Sequence, residues 1–266
     1  MSFTLSLAAH LILFAPAVDT PTVRLDLAQL RARLAAGTES RAPDLAHTDL
    51  SGLDLSGMDF RHADLTGARL AGTKLAGANL FTCDLTDAVA VGADFSRANL
   101  DGTVLRRADL SRANLEGASL FATILEKADL SGANLAGTRI IGYLRSASLA
   151  GASLRNSNAG ADPGNQSMGV MRATFVGADL SDADLTGANL YKADFSHADL
   201  RRARLAGANL ENADLIQTDF GGADLAGARV AKANIEGAIF TGATGMNTIK
   251  GLDEARNRDK ATFDAN

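Results

Sequence analysis

The side chains here with chemical potential are many carboxylates, one thiol and four imidazoles. Catalysis or metal binding needs such groups converging at set spacings. His10, His47, His62 and His197 have no ligand partner at a local metal-binding interval. The single Cys83 excludes an internal disulfide framework and a multi-Cys zinc site. No nucleophile elbow, phosphate loop, Cys-x-x-Cys or His-x-x-x-His motif occurs, so no cofactor is called for. The carboxylates are different in kind. Asp44, Asp49, Asp54, Asp59 and Asp64 follow one another at intervals of five. That is a period, not an acid/base pair. A short polar side chain recurring in this way is suited to bonding nearby backbone and favouring turns.

The period belongs to the whole chain. From Leu45 a large apolar residue recurs every fifth position, through Leu50, Leu55, Phe60, Leu65 and onward to Ile140, with one lapse at Ala90. Two residues before each stands a small one, as at Ala63, Ala68, Thr73, Ala78, Cys83 and Ala93. Gly or a charged residue often closes the unit, as at Gly67, Gly72 and Arg97. In extended backbone the large and small residues point the same way and the Asp or Asn between them points out. The remaining two residues must then turn the chain so that the next Leu faces the same axis. Repetition winds a solenoid with Leu along the axis, Ala at the corners, and neighbouring coils at strand spacing of about 4.8 Å.

The runs ADLTGARLAGTKLAGANL (63–80) and ADLSDADLTGANLYKADFSHADL (178–200) strongly resemble the pentapeptide-repeat family. The resemblance spans about 45–154 and 173–243. It implies an all-β, right-handed quadrilateral β-helix with four units per coil, and therefore residues twenty apart stacked in columns. Phe60, Leu80, Leu100, Leu120 and Ile140 then form one interior ladder, and Cys83 lies between Ala63 and Thr103 as a small, unreactive buried group.

Both ends read as short helical caps, which a solenoid needs because its end coils have no neighbour. At the N-terminus (18–40), Thr20 and Pro21 suit a helix start, Val23, Leu27, Leu30 and Leu34 form one stripe, and Gly37 is a stop. At the C-terminus (244–266), Gly251 to Arg256 starts a short polar helix, and Leu252, Ala255 and Phe263 cover the last coil. Residues 1–17 resemble a secretory leader with Ala15-Pro16-Ala17 as its cleavage site, although no Lys or Arg precedes the apolar run and His10 interrupts it. A leader implies periplasmic or extracellular export. A packed apolar segment implies a cytoplasmic protein. The apolar stretch is too short to span a bilayer.

Specific function in a repeat resides in its departures. At 87–91, Ala90 takes a Leu position and Val89 and Val91 take outward ones, which reads as a local bulge. After Ile140 the register slips by one, to Leu144, Leu149 and Leu154. Residues 155–172 then read as an inserted loop rich in Asn, Gly and Ser, before the repeat resumes at Phe175. Phe81, Phe121 and Ile141 follow interior residues as outward apolar groups in one column, with Asp101 between the two Phe. Tyr191 is a lone aromatic further along. With Asn165, Met168 and Met171 of the loop, these are the candidate partner-binding residues.

Composition narrows the function classes. A formal charge of -5 over 266 residues offers no basic stripe, so direct nucleic-acid binding is not expected. The preferred reading is a non-enzymatic scaffold or protein-interaction module for a protein partner of unassigned identity. The alternative, carried by the family resemblance, is a DNA-mimicking inhibitor of a type II topoisomerase, for which stacked Asp columns are the relevant feature. In water two charges about 5 Å apart repel by roughly 0.8 kcal/mol, a load a cationic partner relieves. Arg69, Lys74, Arg97, Arg201, Arg202 and Arg204 interrupt those columns.

Overall fold

The computed structural model describes residues 22–37, 41–161 and 171–265. The leader segment 1–17, Thr20, Pro21, Asn165 and Met168 lie outside them.

The coil closes every twenty residues. Parallel bridges join Asp44 to Asp64, Asp64 to Asp84, Asn79 to Asn99 and Asp94 to Asn114. Four units therefore make four faces. We number them by their interior residues: face 1 holds Leu45, Leu65 and Leu85; face 2, Leu50 and Leu70; face 3, Leu55 and Leu75; face 4, Phe60 and Leu80. All of these side chains are buried. The expected ladder Phe60–Leu80–Leu100–Leu120–Ile140 is the interior of face 4. Large rings stack face to face where they recur. Phe175 and Phe195 lie 4.6 Å apart, Phe220 and Phe240 4.9 Å, and Phe240 and Phe263 5.1 Å, near the spacing of parallel strands.

One unit shows why five residues suffice. Ala63 N–H donates to Phe60 O and closes a turn. Asp64 N–H donates down to Pro43 O, and Leu65 and Gly67 N–H donate up to Asp84 O and Thr86 O. The fifth donor, Thr66 N–H, has no ladder acceptor. It donates to the carboxylate of Asp64 at 2.9 Å. The same bond recurs at Ser51–Asp49, Thr86–Asp84, Ser96–Asp94 and Ser181–Asp179. The closing residue has positive φ, +62° at Gly67, as the third position of a type II turn requires. Arg97, Arg112 and His62 adopt it as well, each with the strain of a side chain in that region.

The N-terminal end is closed by a strand and a helix. β1 (Val23–Arg24) pairs in parallel with β2 (Thr48–Asp49), and α1 spans Leu27–Ala35. This corrects the expected helical stripe. Val23 is exposed in β1, because the free edge of the first coil takes its backbone as one more strand. Asp26 starts the helix through a capping box: Gln29 N–H donates to its carboxylate, and Asp26 N–H donates to the Gln29 side chain. Leu25 and Leu30 are buried over the end of the core, with Leu34 half-buried. Gly37 follows because a Cβ there would sit 2.5 Å from Pro43 Cγ.

The C-terminal end also differs from expectation. Residues 251–254 form turns, and the helical element is one 3₁₀ turn at Arg258–Lys260. The ladder runs on beneath it, joining Asn234 to Arg256 and Ile239 to Thr262. Leu252, Ala255 and Phe263 are partly buried against the core.

No bulge occurs at 87–91. Val89 bridges Arg69 and Asp109 in register, with Ala90 buried between Leu70 and Leu110. The slip after Ile140 is a corner shortened by one residue. β3 (Ser119–Ile124) and β4 (Arg139–Tyr143) run in parallel through that corner, and Phe121 to Ile124 on β3 opposes Ile141 to Tyr143 on β4. Gly142 lies so close to the coil beneath that a Cβ would meet Thr123 O at 2.5 Å. The repeat then outlasts its expected stop at 154. Asn158 bridges Arg139 and Asn189, and Ala159 is buried at a Leu position. The insertion therefore leaves after Ala161, whose N–H donates to Tyr191 O. Tyr143 bridges Thr174, thirty-one residues on, so this coil carries eleven extra residues. With one lost before, the net ten are two whole units, and Phe175 returns to the original register.

The bond from the Asp side chain to backbone predicts how the outward column tolerates change. Asp64→Asn keeps an acceptor and relieves its neighbours Asp44 and Asp84. Its stability in denaturant titration should match or slightly exceed the parent. Asp64→Ala strands the Thr66 N–H at a part-buried site and should lose about 1 kcal/mol.

Candidate interaction surface

The corner between face 4 and the next face 1 collects most departures from the repeat. Its leading positions are Arg61, Phe81, Asp101, Phe121, Ile141, Gly160 and Tyr191. Phe81 is 40% exposed and packs edge-on against His62. Phe121 is half-buried with the Arg139 guanidinium 4.7 Å from its ring centre. Its N–H donates to Asp101 Oδ1, which takes the place of the missing Asp in its own unit. Ile141 is not an outward group as expected. It is buried, because the missing residue draws it under the shortened corner. Tyr191 is half-buried with the Lys192 ammonium 5.3 Å from its ring centre. Met171, at the returning end of the insertion, is half-buried.

Beside this corner lies a feature the sequence reading missed. On face 1 the outward position normally held by Asp is taken by Val104, Ile124 and Tyr143 in consecutive coils, as their bridges show. Tyr143 is 53% exposed. Phe121 leads into Ile124 from the adjoining corner, so this apolar strip turns the corner one coil before the insertion departs, while Phe81 lies on the same corner beyond Asp101. The signal was present: Val104 and Ile124 are twenty apart. Tyr143 is nineteen from Ile124, and the slip hid it.

The carboxylates are committed to the scaffold. Hydrogen bonds from Arg201 hold the Asp199 carboxyl below the usual carboxylate range, and Arg202 does the same to Asp182. At Asp184 burial pushes up, but donors from Thr186 and Arg155 outweigh it and the net direction is down. Asp49, Asp54 and Asp59 are held below the usual carboxylate range in the same way, by hydrogen bonds from Ser51, Ser56 and Arg61, which is the opposite of what a general acid at neutral pH needs. Like-charged columns survive at Asp44–Asp64–Asp84, whereas Arg201 bonds Asp199 and reaches Asp219 at 4.0 Å. No group of His, Cys, Asp and Glu able to hold a metal occurs among the described residues. None of the described helices is long and apolar enough to cross a membrane.

The family model for pentapeptide repeats (8 copies) matches residues 44–80, 83–120, 113–142, 171–207 and 203–242. The chain belongs to the pentapeptide-repeat family. As such it is a structural or binding protein rather than an enzyme, and its fold is the right-handed quadrilateral β-helix. HetL, a pentapeptide-repeat protein involved in heterocyst differentiation regulation in the cyanobacterium Nostoc, is 30% identical. That match covers 90% of this chain and 99% of HetL with a TM-score of 0.64. A pentapeptide-repeat protein from the Arabidopsis thaliana thylakoid lumen is 33% identical over 38% of this chain and 74% of its own, TM-score 0.35. QnrB1, a plasmid-mediated fluoroquinolone resistance protein, is 20% identical over 81% and 93%, TM-score 0.30. No curated protein matches.

Cys83 lies inside this pentapeptide-repeat core, its thiol donating to Phe60 O, and burial pushes its pKa up to about 12. A thiol-specific reagent at pH 8 should label it only after denaturation. The pH dependence has a definite sign. The folded value lies above the ordinary 9.0, so the stability linked to the protonated thiol is complete below pH 9. It falls as pH rises toward 12, and Cys83→Ala should remove that part of the alkaline loss in melting curves.

Proposed function

We propose that this pentapeptide-repeat protein is a protein-interaction module whose docking edge is the corner between faces 4 and 1. One observation carries the reading. The outward positions of face 1 are apolar at Val104, Ile124 and Tyr143, where a coil needs only a short polar acceptor. The scaffold gains nothing from an exposed Tyr there, and a contiguous apolar strip on a regular surface marks an interaction site. Phe81, Phe121, Met171 and Tyr191 follow the same edge, and the insertion that contains Asn165 and Met168 leaves and returns at it. The likeness to HetL, a protein involved in regulation, supports a binding role.

The topoisomerase reading draws on the Asp44–Asp64–Asp84 stack. Arg pairs on Asp182, Asp184 and Asp199 leave less uncompensated acid than a duplex mimic needs.

Two measurements separate these readings. Crosslinking in extracts of the native host compares the parent with Ile124→Lys/Tyr143→Lys and with Ala71→Lys on another corner. The strip variant should lose the specific products while Ala71→Lys keeps them; identical products from all three sink the proposal. A supercoiling assay should show no inhibition at high protein excess.

A further inference from the structure

The same corner changes character beyond the insertion. Its closing positions in three successive coils are Lys192, Asn212 and Lys232, all with φ near +60°. Arg172, at the returning end of the insertion, and Arg256, in the last coil, flank them. Together with Asp214 they line an open groove of about 520 Å3. Four cations thus stand against two carboxylates, Asp214 in the lining and Asp194 beside it, in a chain whose net charge is -5.

The arrangement is built rather than incidental. Arg172 donates to Asp194 at 3.1 Å and Asp214 at 2.7 Å. Arg256 donates to Lys232 O at 3.0 Å and lies 3.6 Å from Asp214. The two guanidiniums are thereby fixed as one wall. The two lysines are left with charge to spare. Lys192 lies over the Tyr191 ring, and Lys232 forms no ion pair with a described residue. The nearby acids that would neutralise them are engaged elsewhere: Glu211 with Arg229 and Glu236 with Lys260, each at 2.7 Å. Lys192 and Lys232 are two coils apart, about 10 Å along the axis at strand spacing. That separation suits carboxylates spread along an extended chain better than a single small anion.

We propose that this groove binds an acidic peptide segment of a protein partner, Asp- or Glu-rich and extended along the solenoid axis. The inference rests on reading this corner as an interaction edge, and it assigns the chemistry of the partner at the C-terminal half of that edge. Encounter is electrostatic and weakens with salt.

The test uses a fluorescein-labelled decaglutamate peptide and the full chain, so it needs no native partner. Its failure is therefore distinct from failure of the apolar-strip experiment. Anisotropy in low-salt buffer should show binding that falls as NaCl rises. Lys192→Glu/Lys232→Glu should weaken it by about tenfold or more, since two attractive contacts become repulsive. Lys74→Glu/Lys127→Glu, which makes the same change in net charge on other surfaces, should bind as the parent does. Thermal melts confirm that each variant folds. Equal binding by all three proteins overturns the proposal, as does no binding at millimolar protein. Full displacement of the peptide by millimolar inorganic phosphate also overturns it and makes the groove a small-anion site.

Discussion

Each five-residue unit has five backbone N–H groups to place, and the coil supplies acceptors for only four of them. One closes the turn and three enter the ladders above and below, as the unit from Ala63 to Gly67 shows. The first turn residue is left over. It must find an acceptor without adding length, and the residue two before it provides one from its side chain. Only Asp, Asn or a similarly short acceptor reaches. The acidic look of this chain is therefore first a consequence of backbone bookkeeping. At Ser119, where that acceptor is missing, Asp101 one coil away accepts from the Phe121 N–H instead.

This constraint explains what the interior tolerates. Small residues two before each Leu sit where backbone passes closest, and a polar one is accepted if it can bond inward. Thr73, Cys83, Thr103, Thr123 and Thr218 each donate to a carbonyl twenty-three residues earlier. Cys83 is thus one of a set of interchangeable buried donors, and its chemistry is suppressed by its place. Ser157 is the exception, with a buried hydroxyl that finds no partner among the described residues. Two residues on, Ala159 underfills a Leu position as Ala90 does, just before the chain leaves the solenoid.

The period was legible because every coil repeats the same local solution, so columns such as Phe60 to Ile140 follow from counting. What escaped lay where two coils differ in length or where contact depends on the third dimension. Val23 fits a helical stripe by spacing, yet the free edge of the first coil decides its fate. Ile141 has the position of an outward residue, yet a missing neighbour turns it inward. Tyr143 belongs with Val104 and Ile124 only once the short coil is recognised. Arg172, at the returning end of the insertion, meets Asp214 forty-two residues on, at a separation no five-residue period reveals.

A corner is the one place where such a chain can change length without losing its ladder. On a face every inserted residue would break hydrogen bonds in two neighbouring coils and rotate interior side chains out of the core. At a corner the backbone is already turning, and a lost or added residue disturbs one turn. The deletion at Gly142 and the insertion after Ala161 stack on the same corner in consecutive coils, and together they restore the register. The apolar strip lies immediately before them and the cationic groove immediately after. A binding edge placed there can diversify its side chains and its loop while the core beneath remains one uninterrupted column. That is the physical reason for seeking this protein's specificity along a corner rather than across a face.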